Sequence, residues 1–429
     1  MAILRTVSLA AAILLLPVAG AGSAEASAFP QASAFPQASV SPPRAAAPTP
    51  TPSVSAAAAG ARPPTVAGRP VRLALPRPTG PFAVGRDTVH LVDRHRRDPW
   101  VPGVARELMV DVYYPARAAT GTPARYATVE EVRLYLAALG LADLLPVQAL
   151  SDTAIASRAG ARPLPGRRPL VLLSPGLGVG RRSLTGLAED LASRGLVAAA
   201  VDHPYESTGT AFPGGRMLTC LACERMRTDA DFQAATRGRA ADLSFVLNSL
   251  TGPHPAWHGA QIIDRARIAA VGHSLGGAAA ASVMLHDRRV RAGVDMDGTL
   301  GEPVGAGGFG GRAFLLLGAA ANHPGAGDPP AADEDRTWVQ AWAHMGPPRL
   351  WLDVDGADHF SFTDDPVLAD QIPLPAAPPP QAQALTGRQA LAITRAYVGA
   401  FVERWLGGRA QPLLDGPSRA YPQVRVVGR

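Results

Sequence analysis

Residues 267–281 read Arg267-Ile268-Ala269-Ala270-Val271-Gly272-His273-Ser274-Leu275-Gly276-Gly277-Ala278-Ala279-Ala280-Ala281. An apolar run leads straight into Gly-x-Ser-x-Gly, and an alanine-rich segment of helical composition follows. A serine held on so sharp a strand-to-helix turn presents its hydroxyl above the end of a sheet. The flanking glycines fit that turn because a Cβ there would collide with the strand or the helix. The motif alone is common in a glycine-rich chain, and its setting between strand and helix is what gives it weight. The stretch therefore reads as the nucleophile turn of an α/β protein, with Ser274 as the nucleophile and the Leu275 N–H as one oxyanion donor.

Outward from this turn the chain alternates short apolar runs with helical stretches. The runs are Thr88–Val92, Met109–Tyr114, Leu170–Leu173, Leu196–Val201, Ile268–Val271, Arg291–Met296, Ala313–Leu317 and Leu350–Val354. Most are nearly continuous in Val, Leu, Ile and Ala, as expected for strands covered on both faces. Helices are predicted over Leu184–Arg194, Arg237–Leu250, Gly276–Leu285 and Arg388–Leu406. In the last of these, Tyr397, Phe401 and Trp405 recur every four residues and read as core. The fold class is thus α/β: a mostly parallel, eight-stranded sheet with helices on both faces, in one domain over residues 67–429. Residues 128–160 interrupt the alternation. Thr128 and Glu131 form a capping box, and Val132, Tyr135, Leu136, Leu139, Leu144 and Leu145 follow near helical spacing. The segment reads either as a helix packed on the sheet edge or as a lid-like insertion facing lipid beside the site.

A serine hydroxyl needs a base to take its proton. Of ten histidines, His359 in Asp355-Gly356-Ala357-Asp358-His359-Phe360 follows the last predicted strand, where a loop returns over the strand tips. His203, His286, His323 and His344 are the competing bases, of which His203, like His273, reads better as a support around the site. For the orienting carboxylate, Asp297 ends the run 291–296 and Asp328 lies beyond the run 313–317; position leaves both open, with Asp295 deeper on the same strand. The second oxyanion donor belongs to the loop Ser174-Pro175-Gly176-Leu177-Gly178, from Leu177 or Gly178, since Pro175 has no N–H.

Composition agrees. The chain has 429 residues, 47% of them hydrophobic, enough for a large core. Its 44 Gly and 42 Pro exclude a helical bundle. All 41 basic residues are arginine, against 35 acidic ones, and they form no stripe, which argues against a nucleic-acid partner. Arg5, the apolar run Val7–Val18 and Ala-x-Ala sites ending at Ala26 and Ala28 read as a secretory signal peptide over residues 1–28. Residues 29–66, with Ala-Ser-Ala-Phe-Pro-Gln at 26–31 and 32–37, read as a disordered Pro/Ala/Ser-rich linker. The expectation is a secreted protein with no transmembrane segment, no cofactor and no metal. Cys220 and Cys223 lack a second ligand pair and read as a local disulfide.

At these residues the chain resembles the secreted platelet-activating-factor acetylhydrolase family and its bacterial lipase relatives, all α/β-hydrolases. The likeness is densest in Pro169-Leu-Val-Leu-Leu-Ser-Pro-Gly-Leu-Gly178 and in Leu187 to His203. It implies Asp297, in Met296-Asp297-Gly298, as the acid, His359 as the base and Leu177 as the second oxyanion donor. It also implies hydrolysis of short-acyl phospholipids or related lipid esters, with peripheral contact at a lipid surface. Two departures stand out: Pro175 occupies the place of the family's usual histidine, and Asp295 adds a carboxylate where the family is apolar. A cutinase-like polyester hydrolase or an acyltransferase would use the same residues, and a catalytically silent binding protein would keep only the fold.

Overall fold

The computed structural model describes residues 65–66, 69–142, 145–323, 335–372 and 384–429. The predicted signal peptide, nearly all of the linker, Leu144 and Asp328 lie outside the described residues.

Nine long strands carry the main sheet: β1 (Ala83–Arg97), β2 (Ala105–Ala116), β3 (Arg168–Ser174), β4 (Val197–Asp202), β5 (Ile263–His273), β6 (Val290–Met296), β7 (Ala313–Ala319), β8 (Arg349–Val354) and β9 (Val424–Gly428). Their order is β9-β8-β7-β6-β5-β3-β4-β2-β1, and the short strands Arg158–Ala159 and Thr122–Pro123 extend the β1 edge to eleven strands in all. Strands β3 to β8 run parallel, while β1–β2, β2–β4 and β8–β9 pair antiparallel. The α/β-hydrolase arrangement is therefore present, with three more strands than the eight expected. The additions are two two-residue pieces and a C-terminal edge strand, each too short or too polar to stand out as an apolar run.

Period-two alternation divides the central strands between two cores. Leu170 and Leu172 with Ile268 and Ala270 face one layer, together with Leu243, Val246, Ala279 and Ala280. Val171 and Leu173 with Ala269 and Val271 face the other. The longer helices are α1 (Val129–Ala138), α2 (Thr185–Ser193), α3 (Asp229–Thr251), α4 (Leu275–His286), α5 (Thr337–His344) and α6 (Gly387–Gly407). Helix α3 starts eight residues earlier than its apolar pattern suggests, because Thr228 and Asp231 form a capping box there. On α6, Tyr397 and Phe401 are core residues, but Trp405 is 41% exposed, a correction to the four-residue pattern. A 100° step per residue carries the third aromatic off the buried stripe.

Of the two readings of residues 128–160, the structure shows the packed helix. The Thr128–Glu131 capping box opens α1, and Val132, Tyr135 and Leu136 bury against Leu73, Leu75, Val179 and Leu391. Its apolar face is covered by the chain itself. No described helix is long and apolar enough to cross a membrane.

Candidate active site

The site forms at the carboxyl ends of β3, β5, β6 and β7. Strand β5 is buried from Ile268 to His273 and passes into α4 through Ser274, whose backbone has φ 56° and ψ −126°. A non-glycine residue rarely adopts that conformation and keeps it only where packing imposes it. Here the Ser274 N–H donates to the Met296 carbonyl (2.9 Å), and the Ser274 carbonyl accepts from Gly277 N–H (2.8 Å). A Cβ at Gly272 would overlap the Gly276 carbonyl, and one at Gly276 would overlap the Ser174 carbonyl.

His359 opens a short 3-10 turn after β8. Its Nε2 lies 3.0 Å from Ser274 Oγ and its Nδ1 2.6 Å from Asp297 Oδ2. Because a carboxylate can only accept, Nδ1 carries the proton and Nε2 is free to accept from the serine; the tautomer is assigned from this network. Asp297 follows β6 with φ 56°. Its Oδ1 accepts from the Ala319 N–H (2.7 Å) and its Oδ2 also from Asn322 Nδ2 (2.7 Å). Burial alone would raise this carboxyl, but its contacts with His323 and His359 outweigh burial and hold it well below the usual range. The His323 Nε2 stands 3.2 Å from Asp297 Oδ1 without hydrogen-bonding geometry, so that contact is electrostatic. Its imidazole stacks on Trp338, with ring centres 3.5 Å apart.

The neighbouring groups are tuned oppositely. His273 Nε2 donates to the His359 carbonyl (2.7 Å), and burial together with the nearby His359 pushes its imidazole down to about 3. It is a neutral clamp on the histidine turn. Asp295 lies two residues before Asp297, fully buried, accepting from Gly298 N–H and Trp338 Nε1. Burial, then the Asp297 charge, raise it well above the ordinary carboxyl value, so it holds its proton far more tightly than its neighbour does.

Backbone accounting separates the oxyanion candidates. The Gly178 N–H is committed to the Glu206 carbonyl at 2.9 Å. The Leu177 and Leu275 N–H groups find no acceptor among the described residues, and Leu275 is the first residue of α4, where helical donors are unpaired. Beside them, Leu177 and Leu275 pack with Phe232, Ala235 and Ala278, and Phe360 stands 5.5 Å from the His359 ring.

The structure thus brings Ser274, His359 and Asp297 into one chain of hydrogen bonds and leaves Leu177 and Leu275 with free donors beside them. It also gives several residues roles that the sequence did not assign. Asn322 and His323 follow β7 and close around Asp297; an Asn-His pair just past a strand end was the available signal. Below the 174–178 loop, Ser174 Oγ lies 2.9 Å from His203 Nε2, and His203 Nδ1 lies 2.8 Å from Asp242 Oδ2. All three are buried to 2% exposure or less, so this second Ser–His–Asp set is a support. Asp242 also binds Arg106, which reaches Asp98 and Glu206. Cys220 and Cys223 are disulfide-bonded on a segment beside Gly178.

With this geometry in place, known proteins can be compared. A ferulic acid esterase from Streptomyces cinnamoneus is 40% identical, covering 83% of this chain and 99% of its own, with a TM-score of 0.73. A probable 1-alkyl-2-acetylglycerophosphocholine esterase from Arthroderma benhamiae is 28% identical over 385 residues, 83% of this chain and 94% of the relative. The platelet-activating factor acetylhydrolase of Cavia porcellus is 26% identical over 159 residues, about a third of its length (34%). No protein-family model matches the sequence. The fold, the nucleophile turn and these relatives converge: the chain belongs to the α/β-hydrolase esterase family that includes the platelet-activating factor acetylhydrolases, and it is a carboxylic ester hydrolase.

Proposed function

We propose that the protein is a secreted serine esterase that works through a Ser274–His359–Asp297 triad and an acyl-enzyme. The observation that carries this reading is the continuous path from Ser274 Oγ to His359 Nε2 (3.0 Å) and from Nδ1 to Asp297 (2.6 Å), built on the strained turn. Ser274 Oγ attacks the ester carbonyl while His359 Nε2 takes its proton, and Asp297 stabilises the imidazolium. The oxygen that gains charge is received by the Leu177 and Leu275 N–H groups. His359 then protonates the leaving alkoxide, and water, deprotonated by the same nitrogen, releases the acid. Secretion rests on the composition of residues 1–28.

For the substrate, 40% identity over nearly the whole of a ferulic acid esterase favours esters of ferulic acid or similar aryl acids. The second reading, short-acyl phospholipids or related lipid esters, is favoured by similarity along 94% of an alkylacetylglycerophosphocholine esterase. It does not require α1 to face lipid, since the apolar side of that helix is occupied. Hydrolysis of methyl ferulate, a short-acyl phosphocholine and p-nitrophenyl esters of two to sixteen carbons, run in parallel, separates the readings. Fluorophosphonate labelling is expected in the wild type and absent in Ser274→Ala, and His359→Ala should slow it by about 10²–10⁴-fold with folding intact. A folded wild-type protein that neither labels nor hydrolyses any of these esters would overturn the triad.

A further inference from the structure

The loop from Ser174 to Gly178 is held from below by one side chain. Arg239 lies on α3 and is 1% exposed. Its Nη1 donates to the Pro175 carbonyl, its Nη2 stands 3.4 Å from the Gly176 carbonyl, and its Nε donates to Glu206 Oε2 (2.7 Å). Glu206 is fixed in turn: Oε1 accepts from Arg106 Nη2 (2.8 Å) and Trp100 Nε1 (3.0 Å). The backbone carbonyl of Glu206 takes the Gly178 N–H, and the Gly178 carbonyl takes the Thr208 N–H (3.1 Å). The loop is therefore pinned at four backbone groups: the carbonyls of Pro175, Gly176 and Gly178 and the N–H of Gly178.

In a trans peptide the C=O and the following N–H point in opposite directions. Two successive carbonyls turned toward one guanidinium force the N–H groups of Gly176 and Leu177 to the other side. Neither N–H has an acceptor among the described residues. That other side is the nucleophile: a Cβ on Gly176 would sit 3.3 Å from Ser274 Cβ and 3.1 Å from His273 Nδ1. Paired free N–H groups of this kind make an anion-receiving concavity, and a cation on the carbonyl side polarises each peptide toward a stronger donor.

We propose that Arg239 is a positioning residue for ester hydrolysis, which holds the carbonyls of Pro175 and Gly176 so that the Leu177 N–H meets the developing oxyanion. The inference rests on the serine-esterase reading above. A lysine at this place keeps one charge but cannot hold two carbonyls and a carboxylate in one plane.

The test uses Arg239→Lys and Arg239→Met with p-nitrophenyl acetate, and inhibition by an alkyl boronic acid, whose tetrahedral adduct places an oxygen where the oxyanion forms. Losing one oxyanion donor lowers kcat by about 10²–10³. The expected result is a fall of that size in kcat, KM within about twofold, boronate affinity weakened in parallel, and an unchanged pH profile, since His359 and Asp297 are untouched. The lysine variant should recover only part. A folded Arg239→Lys or Arg239→Met with kcat within about threefold of wild type overturns the proposal. So does a loss confined to KM. If neither variant folds, a boronate adduct of the wild-type enzyme decides: its oxygen should lie within hydrogen-bond reach of Leu177 N–H, and an oxygen served elsewhere refutes the role. A wild type that neither labels nor turns over would instead sink the triad reading.

Discussion

The Asp297→Asn variant makes a demanding test of the site because the structure dictates which way the new amide must face. Asp297 Oδ1 accepts from the Ala319 N–H, with the His323 ring 3.2 Å away, and Oδ2 accepts from Asn322 Nδ2 and His359 Nδ1. An asparagine side chain must place its NH2 against one of these sets. The Ala319 amide belongs to β7 and cannot turn, whereas the Asn322 side chain can flip and present its carbonyl. The amide NH2 therefore faces His359, whose Nδ1 must accept and whose proton moves to Nε2. That tautomer presents a hydrogen to Ser274 and cannot take its proton. The fold should hold, because asparagine is among the side chains that best tolerate a positive φ such as that of Asp297 (56°). The cost for a wrong tautomer in a serine triad is about 10⁴ in kcat, or about 5 kcal/mol of transition-state stabilisation. Steady-state hydrolysis of p-nitrophenyl acetate at neutral pH measures it, with Asp328→Asn as the comparison. Retention of more than about a tenth of wild-type kcat in Asp297→Asn, with loss in Asp328→Asn, would move the acid to the other loop.

Two further outcomes are expected. His273 has its imidazole pushed from the ordinary 6.5 to about 3, so the unfolded chain binds a proton that the folded one refuses. Its contribution to stability is complete above pH 6.5 and is lost as the pH falls toward 3; at pH 5.5 the loss is about 1.4 kcal/mol. Thermal melts at pH 7.5 and 5.5 should show a larger drop for wild type than for His273→Gln, and equal drops would contradict the buried neutral state. The Cys220–Cys223 disulfide closes a very short loop (sequence separation 3), worth no more than about 2 kcal/mol in the chain-entropy account. Reduction should lower Tm by no more than about 5 °C, and global unfolding on adding dithiothreitol would refute this.

What the sequence made legible was local or periodic. The Ser274 turn is contiguous, its flanking strand and helix lie next to it, and the capping box of α1 is a four-residue pattern. His359 is legible because it follows a strong apolar strand. The acid is harder: Asp297 and Asp328 both follow strands, and what favours Asp297 in the fold is the pair of donors from Ala319 and Asn322, which arrive from a neighbouring strand. Leu177 and Gly178 look alike as oxyanion donors until the Gly178 N–H is seen to be spent on Glu206. The buried ionic cluster around Arg106 and Arg239 joins residues up to 136 positions apart and leaves no periodic trace. Strand β9 was hidden because it is short, broken by Arg425 and stabilised as an edge by pairing with β8.

The buried set Ser174–His203–Asp242 carries one more consequence. A single molecule holds two chains of serine, histidine and aspartate with nearly the same spacings, 2.9 and 2.8 Å in one and 3.0 and 2.6 Å in the other. Only one of them sits on a strained turn, with a partly exposed histidine and free amide donors beside it. On the esterase reading proposed above, reactivity is therefore a property of what surrounds the relay: the buried copy has the same wiring and no place for an ester to stand. Selection can thus keep such a relay purely as a brace.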